Sequence, residues 1–213
     1  MKDRYPGYDV QLKRQGLSWN DVTRQTLDSR LQPAEQPRFF DQAQWDTLVA
    51  LCQLIVPQPG DRPPVPLAAL LDARVHGNHG EGYRDARLPP MQRAWTQGLA
   101  ALDAEALSAH GQRLHTLTED QQGALLQRAQ RGEVRHAAWG SMPPALFVAE
   151  RLLHDITAVY YTHPSAWNDI GFGGPASPRG YVRLAANRRD KWEASEAKPG
   201  SEAQARDANR RVR

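Results

Sequence analysis

Residues 143–161, PPALFVAERLLHDITAVYY, carry the strongest helical pattern in the chain. Apolar residues recur at three- and four-residue spacing and occupy one wide face, formed by Leu146, Phe147, Ala149, Leu152, Leu153, Ile156, Val159 and Tyr160. Such a wide face is typical of a helix that neighbouring helices cover on several sides. The segment is therefore predicted to be the central helix of a bundle, and Pro164 is predicted to stop it.

Four further helices are predicted upstream of this central helix, at about residues 41–56, 65–75, 89–110 and 118–132. Two of them open with a capping-box pattern, in which Asp41 or Thr118 is followed three residues later by glutamine. Gly111 fits the left-handed position just past the end of the third helix. No segment alternates apolar and polar residues as a half-buried strand does. The sequence therefore predicts an all-α fold, a compact bundle of about five main helices.

Two flanking segments differ in composition from the predicted bundle domain, residues 38–184. Residues 1–37 are predicted to form an extended N-terminal arm with one short helix at about residues 20–31. Residues 185–213 are predicted to be a disordered, basic tail, because acids and bases are mixed there with small residues. From residue 179 onward the chain carries ten Lys or Arg against five Asp or Glu, whereas the whole chain has a net charge of only +3.

Sequence motifs for catalysis or cofactor binding are absent. The chain contains no Gly-x-Gly-x-x-Gly, His-Glu-x-x-His, Cys-x-x-Cys-His or Gly-x-Ser-x-Gly pattern, so no catalytic residue and no metal ligand is predicted. Cys52, the single cysteine, lies in an apolar run and is predicted to be a buried, inert thiol. His154 is the natural candidate for a haem ligand between helices, but a structural histidine is the simpler interpretation. Its neighbour Asp155 is predicted to be an exposed charge.

Residues 160–181, YYTHPSAWNDIGFGGPASPRGY, form the most informative stretch of the chain. They are predicted to be a glycine-rich loop of about 18 residues after the central helix, and loops of that length within a compact domain are usually functional or disordered. Tyr, Trp and Arg are the residue types enriched at protein–protein hot spots. We predict a partner-binding element, and the alternative is a loop folded back on its own bundle. The candidate contact residues are Tyr160, Tyr161, Pro164, Trp167, Phe172, Gly173, Gly174, Pro175, Arg179, Gly180 and Tyr181, together with Tyr5, Tyr8 and Trp19 of the arm.

Three motifs in this stretch define a family pattern: Thr157-x-x-Tyr160-Tyr161-x-x-Pro164, Gly171-x-Gly173-Gly174-Pro175 and Arg179-Gly180-Tyr181. Two upstream segments extend it, namely Phe39-Phe40 followed by a helix with Leu48, Leu51 and Ile55-Val56-Pro57, and Trp95-x-x-Gly98-Leu99-x-x-Leu102-Asp103. Over about residues 38–184 the chain resembles the gluconate 2-dehydrogenase subunit 3 family.

This resemblance implies a small helical subunit that is not catalytic by itself and binds no flavin. Its partner would be a large FAD-dependent dehydrogenase subunit of the glucose–methanol–choline type, which oxidises sugars or sugar acids. The small subunit would stabilise or mature that partner, and a cytochrome c is a candidate electron acceptor in the complex. No cofactor is then expected in this chain, and FAD is expected in the partner.

The location of the complex is a separate expectation. Small subunits of this family often carry the export signal, but this N-terminus has neither a twin-arginine pair nor an apolar segment. No apolar run approaches the roughly 18 residues that a membrane span requires. A cytoplasmic location is therefore expected, or a periplasmic one if another subunit carries the signal.

Two alternative functions stay open at the level of the sequence. One is a free-standing helical enzyme or haem protein. The other is a nucleic-acid binder that acts through the basic tail, although the tail lacks the regular aromatic residues that stack on bases, and no helix-turn-helix pattern is evident. Nucleic acid is therefore not expected as a partner.

Overall fold

Helices make up the regular secondary structure of the residues that the computed structural model describes, which are 3–32, 36–58, 60, 62–78, 82–180, 186, 189–190 and 192–212. No strand occurs among these residues, where one isolated bridge pairs Trp19 with Ser177. The predicted all-α fold is confirmed. No helix within these ranges is both long enough and apolar enough to cross a bilayer.

The α-helices are, in chain order, α1 (Asp21–Leu31), α2 (Gln42–Ile55), α3 (Leu67–Gly77), α4 (Met91–His110), α5 (Glu119–Gln130), α6 (Pro144–Phe147), α7 (His154–Thr162), α8 (Pro164–Ile170) and α9 (Glu202–Asn209). A π-helical segment, Val148–Leu153, joins α6 to α7. A 3-10 helix spans Val10–Gln15. The five predicted main helices correspond to α2, α3, α4, α5 and the continuous run from α6 to α7.

The helix boundaries follow the capping signals in the sequence. The Asp41 carboxylate accepts a hydrogen bond from the Gln44 amide, and the Gln44 side chain accepts one from the Asp41 amide, which completes the predicted capping box of α2. Thr118 makes the same reciprocal pair at the start of α5. Gly111 ends α4 with φ of 71°, a left-handed conformation that glycine adopts without strain.

The chain divides into two units, which we call the larger unit (residues 33–160) and the smaller unit (residues 1–32 with 161–213). This division differs from the predicted one of 1–37, 38–184 and 185–213. Residues 161–180, which we call the glycine-rich segment, fall in the same unit as residues 1–32 of the N-terminal arm. The two are joined by hydrogen bonds between residues about 160 positions apart in sequence.

The larger unit has an aromatic centre. The Trp95 ring lies edge-on to Phe40 and to Phe147, with centroid distances of 6.2 and 5.8 Å, and the Trp139 ring lies 5.9 Å from that of Phe147. Gly98 makes room for Phe147, because a Cβ at that position would lie 2.1 Å from the Phe147 Cζ. The predicted burial of Cys52 is confirmed, and burial raises the pKa of its thiol to about 12.

The smaller unit has a core of its own, formed by Tyr8, Val10, Trp19, Leu27, Trp167 and Val212. These residues come from the arm, from α8 and from the C-terminal end of the chain. The arm therefore supplies core side chains, and is more than an extension of the bundle.

Two local predictions differ from the structure of this unit. The stretch predicted as an irregular loop contains α8, which His163 caps and Pro164 opens. The tail predicted as disordered contains α9, and its buried Asn209 donates hydrogen bonds to the carbonyls of Pro6 and Ser195 at 3.0 and 2.9 Å. Both helices are short, and contacts far apart in sequence hold them in place.

Candidate functional site

The N-terminal arm is tied to the glycine-rich segment by hydrogen bonds to successive backbone carbonyls. The pairs are Tyr8 Oη to Phe172 O at 3.2 Å, Lys13 Nζ to Gly173 O at 2.8 Å, Trp19 Nε1 to Pro175 O at 2.9 Å and Asn20 N to Ser177 O at 2.7 Å. Because each pair joins a different residue of the arm to a different residue of the segment, the part of the segment from Phe172 to Ser177 is fixed to the arm.

Two glycines allow the arm and the segment to approach each other. Gly171 has φ of 64°, and a Cβ there would lie 2.5 Å from the Tyr5 ring. Gly174 has φ of 66°, and a Cβ there would lie 3.1 Å from both Trp167 and Val10. A side chain at Gly171 would therefore be strained by its backbone conformation and would also displace Tyr5.

Lys13 is a fully buried cation in this junction. Its ammonium group donates to the Gly173 carbonyl and lies 5.8 Å from the centroid of the Tyr8 ring. Burial, and to a lesser extent the positive charge of Arg179, lower the pKa of Lys13 to about 8, although the negative charge of Glu193 acts in the opposite direction. Lys13 was not predicted as a site residue, because a lysine in a polar stretch carries no local signal of burial.

Raising the pH from about 8 to about 10 is expected to stabilise the smaller unit by about 1–2 kcal/mol through Lys13. The pKa of Lys13 falls from 10.5 in the unfolded chain to about 8 in the folded one. Between these values the unfolded chain binds the proton that the folded chain has released, so the free energy of unfolding rises with pH. The interval ends near pH 10, above which the raised pKa of buried Tyr8 acts in the opposite direction.

Urea denaturation across this pH interval measures the effect. Lys13→Met should abolish the rise, and Lys198→Met, which changes an exposed lysine of the same unit, should preserve it. A rise of equal size in the Lys13 variant would contradict the assignment.

Some of the predicted contact residues are buried and others are exposed. Tyr8, Trp19, Pro164, Trp167 and Gly174 are buried in the smaller unit. The Arg179 side chain donates to Ser18 Oγ at 3.1 Å and stacks over the Trp192 ring, 4.5 Å from its centroid. These residues therefore brace the unit from within.

Tyr160 and Tyr181 stand apart from the other predicted contact residues. Tyr160 is buried in the larger unit, where its hydroxyl accepts a hydrogen bond from Arg62 at 3.2 Å. Tyr181 lies outside the described residues.

Exposed apolar side chains remain near the end of α7, at the end of α8 and just after it. Tyr161, Ile170 and Phe172 are 49%, 45% and 41% exposed. The Phe172 ring meets the buried Trp167 ring edge-on at 5.4 Å, and Trp167 Nε1 donates to the Tyr161 carbonyl at 2.7 Å. We call these three exposed residues the α8 surface. Sequence reasoning had named Tyr161 and Phe172 but not Ile170, whose exposure depends on the orientation of α8.

A buried carboxylate lies within the larger unit. Asp155 is fully buried and accepts a hydrogen bond from Trp95 Nε1 at 2.9 Å. Arg151 Nη1 lies 3.4 Å from the same carboxylate, His154 Nδ1 lies 3.1 Å from it, and Arg74 approaches to 4.0 Å. The prediction that Asp155 is an exposed charge is wrong, because the carboxylate compensates these basic groups inside the unit. Within the described ranges, no group of three or more His, Cys, Asp or Glu could hold a metal ion.

Exposed aromatic residues held on a braced segment are typical of protein-binding surfaces. A family model described as gluconate 2-dehydrogenase subunit 3 matches residues 42–174, more than half of the chain, and the chain belongs to this family. The match runs from the start of α2 to Gly174 in the glycine-rich segment, so it includes the α8 surface. Members of the family are accessory subunits of a dehydrogenase complex. No curated protein and no solved structure gives a significant match to the chain.

Proposed function

We propose that this chain is the non-catalytic small subunit of an FAD-dependent sugar dehydrogenase, and that it stabilises or matures a large flavoprotein subunit of the glucose–methanol–choline type. Membership of the subunit 3 family is the observation that carries this proposal. FAD and the reacting residues then belong to the large subunit, and a cytochrome c can accept the electrons. The chain contributes a binding surface.

The α8 surface supports a docking role through its rigidity. Phe172 rests against the buried Trp167 ring, and its carbonyl accepts a hydrogen bond from Tyr8. An exposed aromatic side chain that is already held in place loses little conformational entropy when a partner covers it. Such pre-organised aromatic residues are favourable anchors for an interface.

The double substitution Ile170→Ser with Phe172→Ser is expected to weaken binding to the flavoprotein subunit about 10- to 100-fold, because two apolar anchors are lost. Both side chains are partly exposed, so the fold of the smaller unit should persist. Biolayer interferometry with the purified flavoprotein subunit measures the affinity. Leu17→Ser is the matched control, since Leu17 is 86% exposed in the same unit and lies outside the α8 surface. Equal affinity for the double variant and the control would contradict docking through this surface.

Co-expression tests the proposed function itself. The flavoprotein subunit produced with this chain should be recovered with more FAD per polypeptide and higher activity than the flavoprotein produced alone. A flavoprotein that matures fully and remains active without this chain would contradict the proposal. So would a haem or flavin absorption band that this chain alone retains through gel filtration, because that result would favour a free-standing enzyme or haem protein.

A further inference from the structure

The segment formed by residues 195–212 is attached to the start of the N-terminal arm, and we call it the latch. Asn209 is fully buried, and its side-chain amide donates hydrogen bonds to the carbonyls of Pro6 and Ser195 at 3.0 and 2.9 Å. The Asn209 side-chain oxygen accepts a third hydrogen bond, from the Ser195 amide at 2.6 Å. Val212 is also fully buried and belongs to the core cluster of the smaller unit. One side chain of the latch is therefore bonded to the arm, and another is packed in the core.

Further contacts extend this attachment along the arm. The Ala197 amide donates a hydrogen bond to the Arg4 carbonyl at 2.9 Å, and the exposed Arg4 side chain pairs with Glu196 at 2.6 Å. Gly7 has φ of 71°, and a Cβ there would lie 3.1 Å from the Arg206 Cγ on α9. The latch therefore follows the arm closely as far as Gly7.

The part of the arm that the latch holds carries two tyrosines that contact the glycine-rich segment. Tyr5 and Tyr8 flank Pro6 in sequence, and the Tyr8 amide donates to the Tyr5 carbonyl at 3.0 Å, which closes a turn. The Tyr8 hydroxyl donates to the Phe172 carbonyl at 3.2 Å, and a Cβ at Gly171 would lie 2.5 Å from the Tyr5 ring. A single turn of the arm therefore connects the latch to the backbone of Gly171 and Phe172.

The latch depends on the arm for its own structure. α9 has eight residues, and isolated helices shorter than about 12 residues are marginal in water. Of residues 195–212, all of which the structure describes, three are buried, namely Ala205, Asn209 and Val212. A segment with so few buried groups opens at a lower free energy than the core of its unit. The closed state of the latch therefore rests largely on its contacts through Asn209 and Val212.

We propose that the latch controls docking, such that the smaller unit binds the flavoprotein subunit when the latch is closed and not when it is open. With the latch open, the turn that carries Tyr5 and Tyr8 is released, and Phe172 loses the hydrogen bond that fixes its carbonyl. This inference rests on the proposed function, because it concerns how the α8 surface is presented to that partner. Docking would then follow synthesis of the latch, since the contact of Asn209 with Pro6 spans 203 positions.

Biolayer interferometry of the whole chain with the purified flavoprotein subunit tests this control. The double substitution Asn209→Ala with Val212→Ser is expected to slow association at least about tenfold, because only the closed fraction of the chain is competent to bind. Dissociation should stay within about twofold, since a complex that does form has the latch closed and the α8 surface unchanged. Arg211→Ala, which removes an exposed ion pair with Asp207 in the same segment, is the control and should leave both rates unchanged.

Hydrogen exchange separates opening of the latch from unfolding of the whole unit. In the double variant, the amides of Ala197 and Phe172 should exchange at least about tenfold faster, because they report on the latch and on the segment that it fixes. The amides of α1, in the same unit, should exchange as slowly as in the unmodified chain. Faster exchange throughout α1 would show that the unit unfolds as a whole, and it would overturn the assignment of residues 195–212 as a latch.

Failure of the latch and failure of the proposed function give different results. An unchanged association rate in the double variant, or a loss confined to the dissociation rate, would overturn the latch and leave the proposed function standing. No binding of the flavoprotein subunit by the unmodified chain would overturn both.

Discussion

Trp19→Ala is expected to lower the free energy of unfolding of the smaller unit by about 3–5 kcal/mol. Trp19 is 1% exposed and belongs to the same core cluster as Trp167. Its indole N–H also donates to the Pro175 carbonyl at 2.9 Å, so the substitution leaves both a cavity and an unpaired acceptor. The loss should loosen the glycine-rich segment, which several residues of the arm hold in place.

Hydrogen exchange of the amides in residues 164–174 measures this loosening directly. Exchange should be faster in Trp19→Ala. The free energy that corresponds to this change in exchange rate should approach the full loss in the free energy of unfolding. Trp19→Phe should have a smaller effect, because it removes the hydrogen bond but keeps much of the packing. If amides of this segment exchange as slowly in Trp19→Ala as in the unmodified chain, then the arm does not stabilise the segment.

Asp155→Ala is expected to lower the free energy of unfolding of the larger unit by about 3–5 kcal/mol. The carboxylate is fully buried and accepts a hydrogen bond from Arg151, which is itself only 5% exposed. Its removal would leave a buried guanidinium without its counter-charge and the Trp95 N–H without its acceptor. Folding removes water from both groups, and in the variant no carboxylate would replace that water.

Urea denaturation of the Asp155 variant measures this loss, at a pH where the carboxylate is ionised. Asp46→Ala is a useful comparison, because Asp46 accepts one exposed hydrogen bond from Gln42 on α2 and its removal should cost less than about 1 kcal/mol. A loss below about 1 kcal/mol for Asp155→Ala would show that Arg151 is satisfied by other groups.

The sequence predicted those parts of the fold that local signals specify. Asp41 and Thr118 mark helix starts because each side chain bonds to an amide three residues away, and both capping boxes are present. Gly111 marks a helix end for a similarly local reason. The periodicity of residues 143–161 predicted one long helix, but it gave no indication of the π-helical turn, since one wider turn leaves the apolar pattern nearly intact.

The smaller unit was harder to predict because its stabilising contacts are distant in sequence. Trp19 and Pro175 are separated by 156 residues, and Asn209 bonds to Pro6 across 203. The seven residues of α8 and the eight of α9 are too few to establish a helical period. Tail composition suggested disorder because mixed charges with small residues usually bury little surface, whereas Val212 and Asn209 are buried.

The candidate site was only partly accessible to sequence reasoning. Aromatic residues and glycines led to the prediction of residues 160–181 as the contact segment, and that prediction rests on the enrichment of aromatic residues at interface hot spots. Their separation into bracing and exposed residues required the structure: Trp167 is 3% exposed and Phe172 is 41% exposed, although both are aromatic and five positions apart. The burial of Arg151 and Asp155 could not be predicted from the sequence either, since charged residues on a helix are ordinarily solvated.

Capture of the complex through this chain tests the central claim most directly. In this experiment the chain carries an affinity tag and is co-expressed with a flavoprotein dehydrogenase subunit of the glucose–methanol–choline type. Protein purified through the tag is then analysed by gel filtration with absorption detection. We expect one species that contains both polypeptides, a flavin spectrum and dehydrogenase activity, and we expect its yield to fall for the Ile170→Ser, Phe172→Ser double variant. Elution of the chain alone, beside a flavoprotein that is fully loaded with FAD without it, would contradict the account.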